Sequence, residues 1–168
     1  VEQLVHVCSA HKKPKKLIKF IERVRAEERE RRQRQPGCIL VFCNKIKTVQ
    51  YVADFLGRQD RRVAALHGRM RQADREQALA DFKAGKTSIL VATDVAARGI
   101  HIKGLPFVVN YDFPASLEQY VHRIGRTGRQ GASGRAFSFF TRNLAPLAGP
   151  LVALLTASGQ GALIDPNL

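Results

Sequence analysis

Short apolar runs alternate with amphipathic stretches along almost the whole chain. Residues 38–43 (CILVFC) form a continuous apolar run of strand length, as expected of a strand buried on both faces. Residues 3–8 (QLVHVC), 62–66 (RVAAL), 88–93 (SILVAT), 107–111 (FVVNY) and 134–140 (GRAFSFF) read as further strands. Between them the spacing changes from two to three or four. Leu17, Phe20, Ile21 and Val24 recur at helical spacing, and so do Val49, Val52, Ala53 and Leu56, with Gly57 closing that helix. A third helix over 73–84 turns Leu79 and Phe82 inward and is capped by Gly85. Ser116-Leu117-Glu118-Gln119 is a capping box, so a helix starts there and ends at Gly125. Leu147, Leu151, Leu154 and Leu155 mark a last helix, with Pro146 tolerated near its start.

Strands that alternate with helices predict an α/β fold, a mainly parallel sheet with helices on both faces in a three-layer sandwich. Ligand-binding residues of such sheets gather at the carboxyl ends of the strands. Asn44 and Lys45, His67 and Gly68, and Thr93 and Asp94 occupy those places. No internal repeat or low-complexity linker interrupts the pattern, so residues 1–168 read as one domain. The first residue is Val1 and not Met, which suits a fragment of a longer protein.

Charge narrows the partner. The 28 Lys and Arg residues against 14 Asp and Glu give a net charge of +14, which implies an anionic partner, nucleic acid first among candidates. The stretch 27–35 (EERERRQRQ) has no apolar residue and reads as a solvated helix end or loop, with a nucleic-acid-binding tail as the alternative. The three cysteines show no paired spacing. Cys38 and Cys43 point to opposite faces of a strand, so no metal is expected and the thiols suit a reducing, intracellular compartment, cytoplasmic or nuclear. No apolar run reaches transmembrane length, so no membrane partner is expected.

The sharpest chemistry lies in residues 122–129 (HRIGRTGR). Arg123, Arg126 and Arg129 repeat every third residue, with glycines between them and no acidic residue from Gln119 to the end of the next strand. Guanidinium forks match phosphate oxygens in two-point contacts, and glycine lets backbone approach a ligand closely. Because Gly125 breaks the helix, Arg126 and Arg129 leave from a loop and can reach across a cleft.

Residues 39–45 (ILVFCNK), Leu66-His67-Gly68 with Gln72 and Arg75, residues 91–99 (VATDVAARG) and HRIGRTGR occur in that order. Together they resemble the motifs of the second RecA-like domain of DEAD-box RNA helicases. The resemblance implies a RecA-like fold and a motor domain that acts with an N-terminal RecA-like domain of the same chain. That missing domain would hold most of the ATP and its Mg²⁺. By the same resemblance, Arg126 and Arg129 are arginine fingers on the γ-phosphate of ATP, and His122 links nucleotide state to domain closure. Arg123 pairs structurally, and Gly99 lies close to the nucleotide. Asn44, Gly68, Arg75, Thr93 and Asp94 match the family's RNA-backbone contacts, which implies weak sequence specificity and strong salt dependence. The fragment itself is expected to be monomeric and to lack ATPase activity.

The resemblance breaks at one place. The family's pattern continues Arg-Gly-(Ile/Leu)-Asp, and that Asp approaches the ATP ribose, whereas this chain has Arg98-Gly99-Ile100-His101. An imidazole can still hydrogen-bond a hydroxyl, so His101 reads either as a ribose contact or as an exposed loop residue. Gly85-Lys86-Thr87 mimics the end of a P-loop, but Ala80 stands where its first glycine belongs and the order of helix and strand is reversed. Two other functions fit the same residues: a DNA helicase or translocase domain, and a non-catalytic RNA-binding module that keeps a helicase fold.

Overall fold

The computed structural model describes residues 1–59, 61–98, 105–127, 134–160 and 164–168, with the side chain of Arg98 left aside. Six strands and six α-helices follow one another as β1 (Glu2–Val7), α1 (Lys13–Glu30), β2 (Ile39–Phe42), α2 (Ile46–Arg58), β3 (Val63–Leu66), α3 (Gln72–Lys83), β4 (Ile89–Ala92), α4 (Asp94–Arg98), β5 (Phe107–Asn110), α5 (Leu117–Ile124), β6 (Arg135–Phe140) and α6 (Ala145–Ala157). The strands form one sheet in the order β1-β6-β5-β2-β4-β3. Every pairing is parallel. This is the α/β three-layer architecture the alternating pattern predicts.

The period of two along β2 explains how one short run feeds both faces. Ile39 and Val41 join Leu17, Ile21, Val24, Val49, Val52 and Leu56 in a core under α1 and α2. Leu40 and Phe42 point the other way, to Phe82 of α3 and to Ala96 and Ala97 of α4. A third cluster of Val5, Tyr120, Ile124, Phe140, Leu151 and Leu155 seats α5 and α6 beside it. The cysteines obey the same alternation, with Cys43 buried in the first core and Cys38 packed against the second. Burial pushes the Cys43 thiol far above its ordinary pKa, so it stays protonated and inert.

The helix ends follow local rules. Ser116 caps α5, its side-chain oxygen accepting from the Gln119 amide at 3.2 Å. Beyond α3, Gly85 takes φ +79°, while its N–H donates to Phe82 O and that of Lys86 to Asp81 O. That pair of bonds is a Schellman ending, so the P-loop-like Gly85-Lys86-Thr87 is a helix stop. The α2 helix runs one residue past Gly57. The five-residue α4, directly after β4, was not legible in the pattern.

The charged stretch 27–35 is a helix end exposed from residue 29 onward, as expected, but it departs from expectation at Glu28. The α1 helix stops at Glu30, and Arg32 takes φ +55°. Glu28 is buried, at 4% exposure. Its carboxylate accepts from Arg25 at 2.8 Å, from the Gly37 amide at 2.7 Å and from Gln33 Nε2 at 3.3 Å. One carboxylate therefore folds the chain back from α1 into β2, and this part of the stretch is not a solvated end. Removing a buried, multiply bonded carboxylate leaves its donors unpaired. Glu28→Ala is expected to lower the free energy of unfolding by about 3 kcal/mol in urea titrations, against less than about 0.5 kcal/mol for Glu30→Ala on the exposed surface.

Candidate nucleotide and nucleic-acid site

Three central strands, β5, β2 and β4, end side by side; the loops after β5 and β2 carry Asp112 and Asn44, and α4, which follows β4, begins with Asp94. Arg123, on α5, reaches across all three. Its Nε and Nη2 donate to Asp94 Oδ1 and Oδ2 at 2.8 and 2.7 Å. Nη1 donates to Asn110 Oδ1 at 3.1 Å and to the Asp112 carbonyl at 2.8 Å, and Nη2 also donates to Asn44 Oδ1 at 2.6 Å. All five guanidinium N–H groups are thus engaged. The group lies 5.0 Å from the centre of the Phe42 ring and is 2% exposed.

The partners are tied in turn. Asp112 accepts from the Asn44 amide at 2.9 Å and from Lys13 Nζ at 3.2 Å. Asn44 Nδ2 donates to the Phe113 carbonyl, and Asn110 Nδ2 to Ser138 Oγ. The cluster holds two cations, Arg123 and Lys13, and two carboxylates, Asp94 and Asp112, so its charges balance. Burial without such pairing would be costly. No acid neighbours the arginine motif in sequence. The neutralising carboxylate comes from 29 residues upstream.

This bridge fixes what stands next to it. Phe42, Asp94, Ala97, Gln119, His122 and Arg126 surround Arg123 in a shallow pocket. His122 is exposed and Arg126 half-buried on the same wall. The backbone of the motif is clasped after the helix: the Leu105 amide donates to the Arg126 carbonyl at 3.1 Å, and the Thr127 hydroxyl donates to the Leu105 carbonyl. Arg126 therefore leaves from a pinned chain. Gly99, His101 and Arg129 lie outside the described residues.

The other sequence-predicted residues stand further along the same edge. The Thr93 amide donates to the Leu66 carbonyl at 3.3 Å, which sets Thr93 beside the end of β3, where Gly68 turns the chain. Asn44, Thr93 and Gly68 thus follow adjacent strands β2, β4 and β3, a row about 10 Å long at sheet spacing. Thr93 is buried, with 7% exposure. Gly68 is exposed, and a Cβ built on it would meet nothing within 4 Å. Packing among the described residues does not require glycine there. The neighbouring His67 is buried, and that burial, with Arg69 beside it, lowers its pKa and favours the neutral ring. Its Nδ1 accepts from the Arg69 amide. Arg75, half-buried on α3, has an enclosed Nε with no hydrogen-bond partner among the described residues.

Asp94 and Asn44 have more structural work than their motifs suggest, since Arg123 occupies both side chains. Sequence reasoning missed Asn110, Asp112 and Thr127. Asn110 had left a signal: it is the one polar residue in an otherwise buried apolar strand, and such a residue needs a partner. Among the described residues no group of three or more His, Cys, Asp or Glu could hold a metal ion, and no helix is long and apolar enough to cross a membrane.

Residues 8–131 match the family described as helicase conserved C-terminal domain. The chain is 41% identical over its full length to ATP-dependent RNA helicase DBP2 of Scheffersomyces stipitis, of which it covers 30%. It is 42% identical, again over its full length, to DEAD-box ATP-dependent RNA helicase 20 of Arabidopsis thaliana, of which it covers 31%. The chain thus spans about three tenths of the length of these relatives. Among solved structures, 92% of it superposes on 85% of the C-terminal domain of the DEAD-box protein Dbp5, with TM-score 0.75 and 29% identity. It also matches the ADP-bound RNA helicase Prp28 of Chaetomium thermophilum, with TM-score 0.78, 31% identity and coverage of 99% of this chain and 38% of that one.

The bridge makes its own prediction. Arg123→Lys keeps the charge but loses the planar fork, and is expected to cost about 3 kcal/mol of stability. Combined with Asp94→Asn, it should lose at least about 1 kcal/mol less than the sum of the single changes. Urea unfolding of the four chains gives the cycle, and additive losses would mean that the two residues act separately.

Proposed function

Because this chain belongs to the family of helicase conserved C-terminal domains, in its DEAD-box form, we propose that it works as the second motor half of an ATP-dependent RNA helicase. The observation that carries the reading is the Arg123 bridge, which holds the helix bearing His122 and the clasped loop bearing Arg126 on one wall above the sheet's carboxyl ends. In this reading residues 1–168 are one such domain, fragment and monomer, and an intracellular N-terminal RecA-like domain of the same protein faces that wall. The other domain holds most of the ATP and its Mg²⁺. Val95 and Val121 stand exposed at 70% and 46% on α4 and α5, an apolar margin suited to that contact.

Arg126 and Arg129 then serve as the arginine fingers. As the γ-phosphate departs, charge builds on its oxygens, and a guanidinium brought to them stabilises that state more than the ground state. A pinned backbone favours this, because less reorganisation is needed at the moment of transfer. His122 carries the nucleotide state to the domain contact. Gly99 and His101 face the nucleotide, with His101 offering an imidazole to a ribose hydroxyl in place of the family's carboxylate.

RNA runs along the row from Asn44 through Thr93 to Gly68, with Arg75 above it. Gly68 leaves space for a sugar-phosphate backbone, and the half-buried Arg75 offers its guanidinium end to phosphate. Asp94 and Asn44 serve this track by holding Arg123 and the loop ends in register. Few of these groups are fit to read base edges, so binding is salt-dependent and tolerant of sequence.

Two measurements test the assignment. In the complete two-domain protein, Arg126→Ala is expected to lower RNA-stimulated phosphate release by about 10³-fold or more while leaving RNA affinity largely intact. An equal loss of both would move Arg126 to the RNA track. Gly68→Leu is expected to change stability by less than about 0.5 kcal/mol and to weaken RNA binding about tenfold in fluorescence anisotropy. Unchanged affinity would take Gly68 off the track.

A further inference from the structure

The charged stretch left unexplained by the motor reading lies at the opposite end of the sheet from the motifs. There the segment folded back by Glu28 meets the turn before β3 and the start of β4, and the three enclose a cleft of about 360 Å³. Five arginines line it, Arg25, Arg29, Arg34, Arg61 and Arg62, against one carboxylate among the described residues, Glu28. That carboxylate is already taken by Arg25, Gly37 and Gln33. Arg25 is engaged too, donating to Glu28, the Gly37 carbonyl and Ser88 Oγ. Arg61 is held at the wall by Glu22, its Nη2 donating to Glu22 Oε1 at 3.5 Å. Three guanidinium groups, of Arg29, Arg34 and Arg62, remain for a ligand among the described residues. Arg29, Arg34 and Arg62 are exposed, and their guanidinium groups make no hydrogen bond or ion pair among the described residues.

We propose that this arginine cleft is a second RNA-phosphate site, which holds RNA flanking the segment bound at the carboxyl ends of the strands. The proposal rests on the RNA-helicase reading above. Three features favour RNA as occupant. Every free cation is an arginine, whose fork takes phosphate oxygens in pairs. The cleft opens to solvent along exposed arginines, which suits an extended polyanion. The four-residue strands between the two ends span about 13 Å before their loops are added, so only an RNA longer than the motif track needs can reach both ends.

The test uses this chain and two fluorescent single strands, about 8 and about 30 nucleotides long, titrated over a range of salt. Arg34→Glu with Arg62→Glu is expected to weaken the long RNA about tenfold near 0.1 M salt and to flatten its log Kd against log salt slope by about 1.4, as the loss of two phosphate contacts requires. The short RNA is expected to be unaffected. Lys15→Glu with Arg142→Glu changes charge equally on exposed positions outside the cleft and should reproduce neither effect. Arg75→Ala should weaken both RNAs. If the cleft variant leaves the long RNA unchanged while Arg75→Ala still weakens it, the second site is overturned and the motif track stands. Equal weakening of both lengths by cleft and control variants also overturns it, since bulk charge would then suffice. Stronger binding of an oligoglutamate than of the long RNA would make the occupant an acidic peptide and overturn RNA. If Arg75→Ala affects neither RNA, the motif reading fails on its own.

Discussion

A single buried guanidinium organises this domain's working end. Arg123 spends all five donors on groups from three strand ends, two of them on Asp94. In a water-poor setting such a charge is tolerated only when every donor is met and an opposite charge lies in contact. The demand runs both ways. The segments after β2, β4 and β5 must converge to satisfy the arginine, and the arginine must stay in place to satisfy them. The positions of Asn44, Asp94 and Asp112, and the orientation of α5, are consequences of that mutual requirement.

The neighbouring residues inherit this order. His122 precedes the bridging arginine on α5, and Arg126 follows it by three residues on backbone clasped to Leu105. Two arginines of one octapeptide thus have opposite duties. Arg123 is saturated and structural. Arg126 is half-buried on the pocket wall, and in the proposed reading it meets the phosphate that a partner domain presents. The other end of the sheet repeats the theme with a carboxylate: Glu28 gathers Arg25, Gln33 and Gly37, and so exposes a different set of arginines. In both places a saturated ion pair builds the scaffold on which further arginines stand.

Much of this was legible in the sequence. The six strands, the helices and the burial of β2 on both faces follow from periodicity, because a parallel sheet needs continuous apolar runs and its crossovers need amphipathic ones. The Ser116 cap and the Gly85 stop follow from local chemistry that no distant contact overrides. The motif residues stand at strand ends because that is where such sheets leave polar side chains. What could not be read was long-range. Nothing near Arg123 in sequence announces Asp94, and nothing in EERERRQRQ distinguishes Glu28, the residue that is buried, from Glu30, the one that is not. Polar residues with identical local propensity part company only when tertiary contacts choose among them. The α4 helix was hidden for a related reason, since its five residues are too few to show a period.

In the proposed reading the chain is half of a catalytic site, offering arginines to a phosphate held elsewhere, and its sequence carries no P-loop. The most direct test is RNA-stimulated phosphate release by this chain alone, by the N-terminal RecA-like half alone, and by the two joined in one polypeptide. Turnover only in the joined protein is the predicted result. Substantial, RNA-dependent turnover by this chain alone would contradict it.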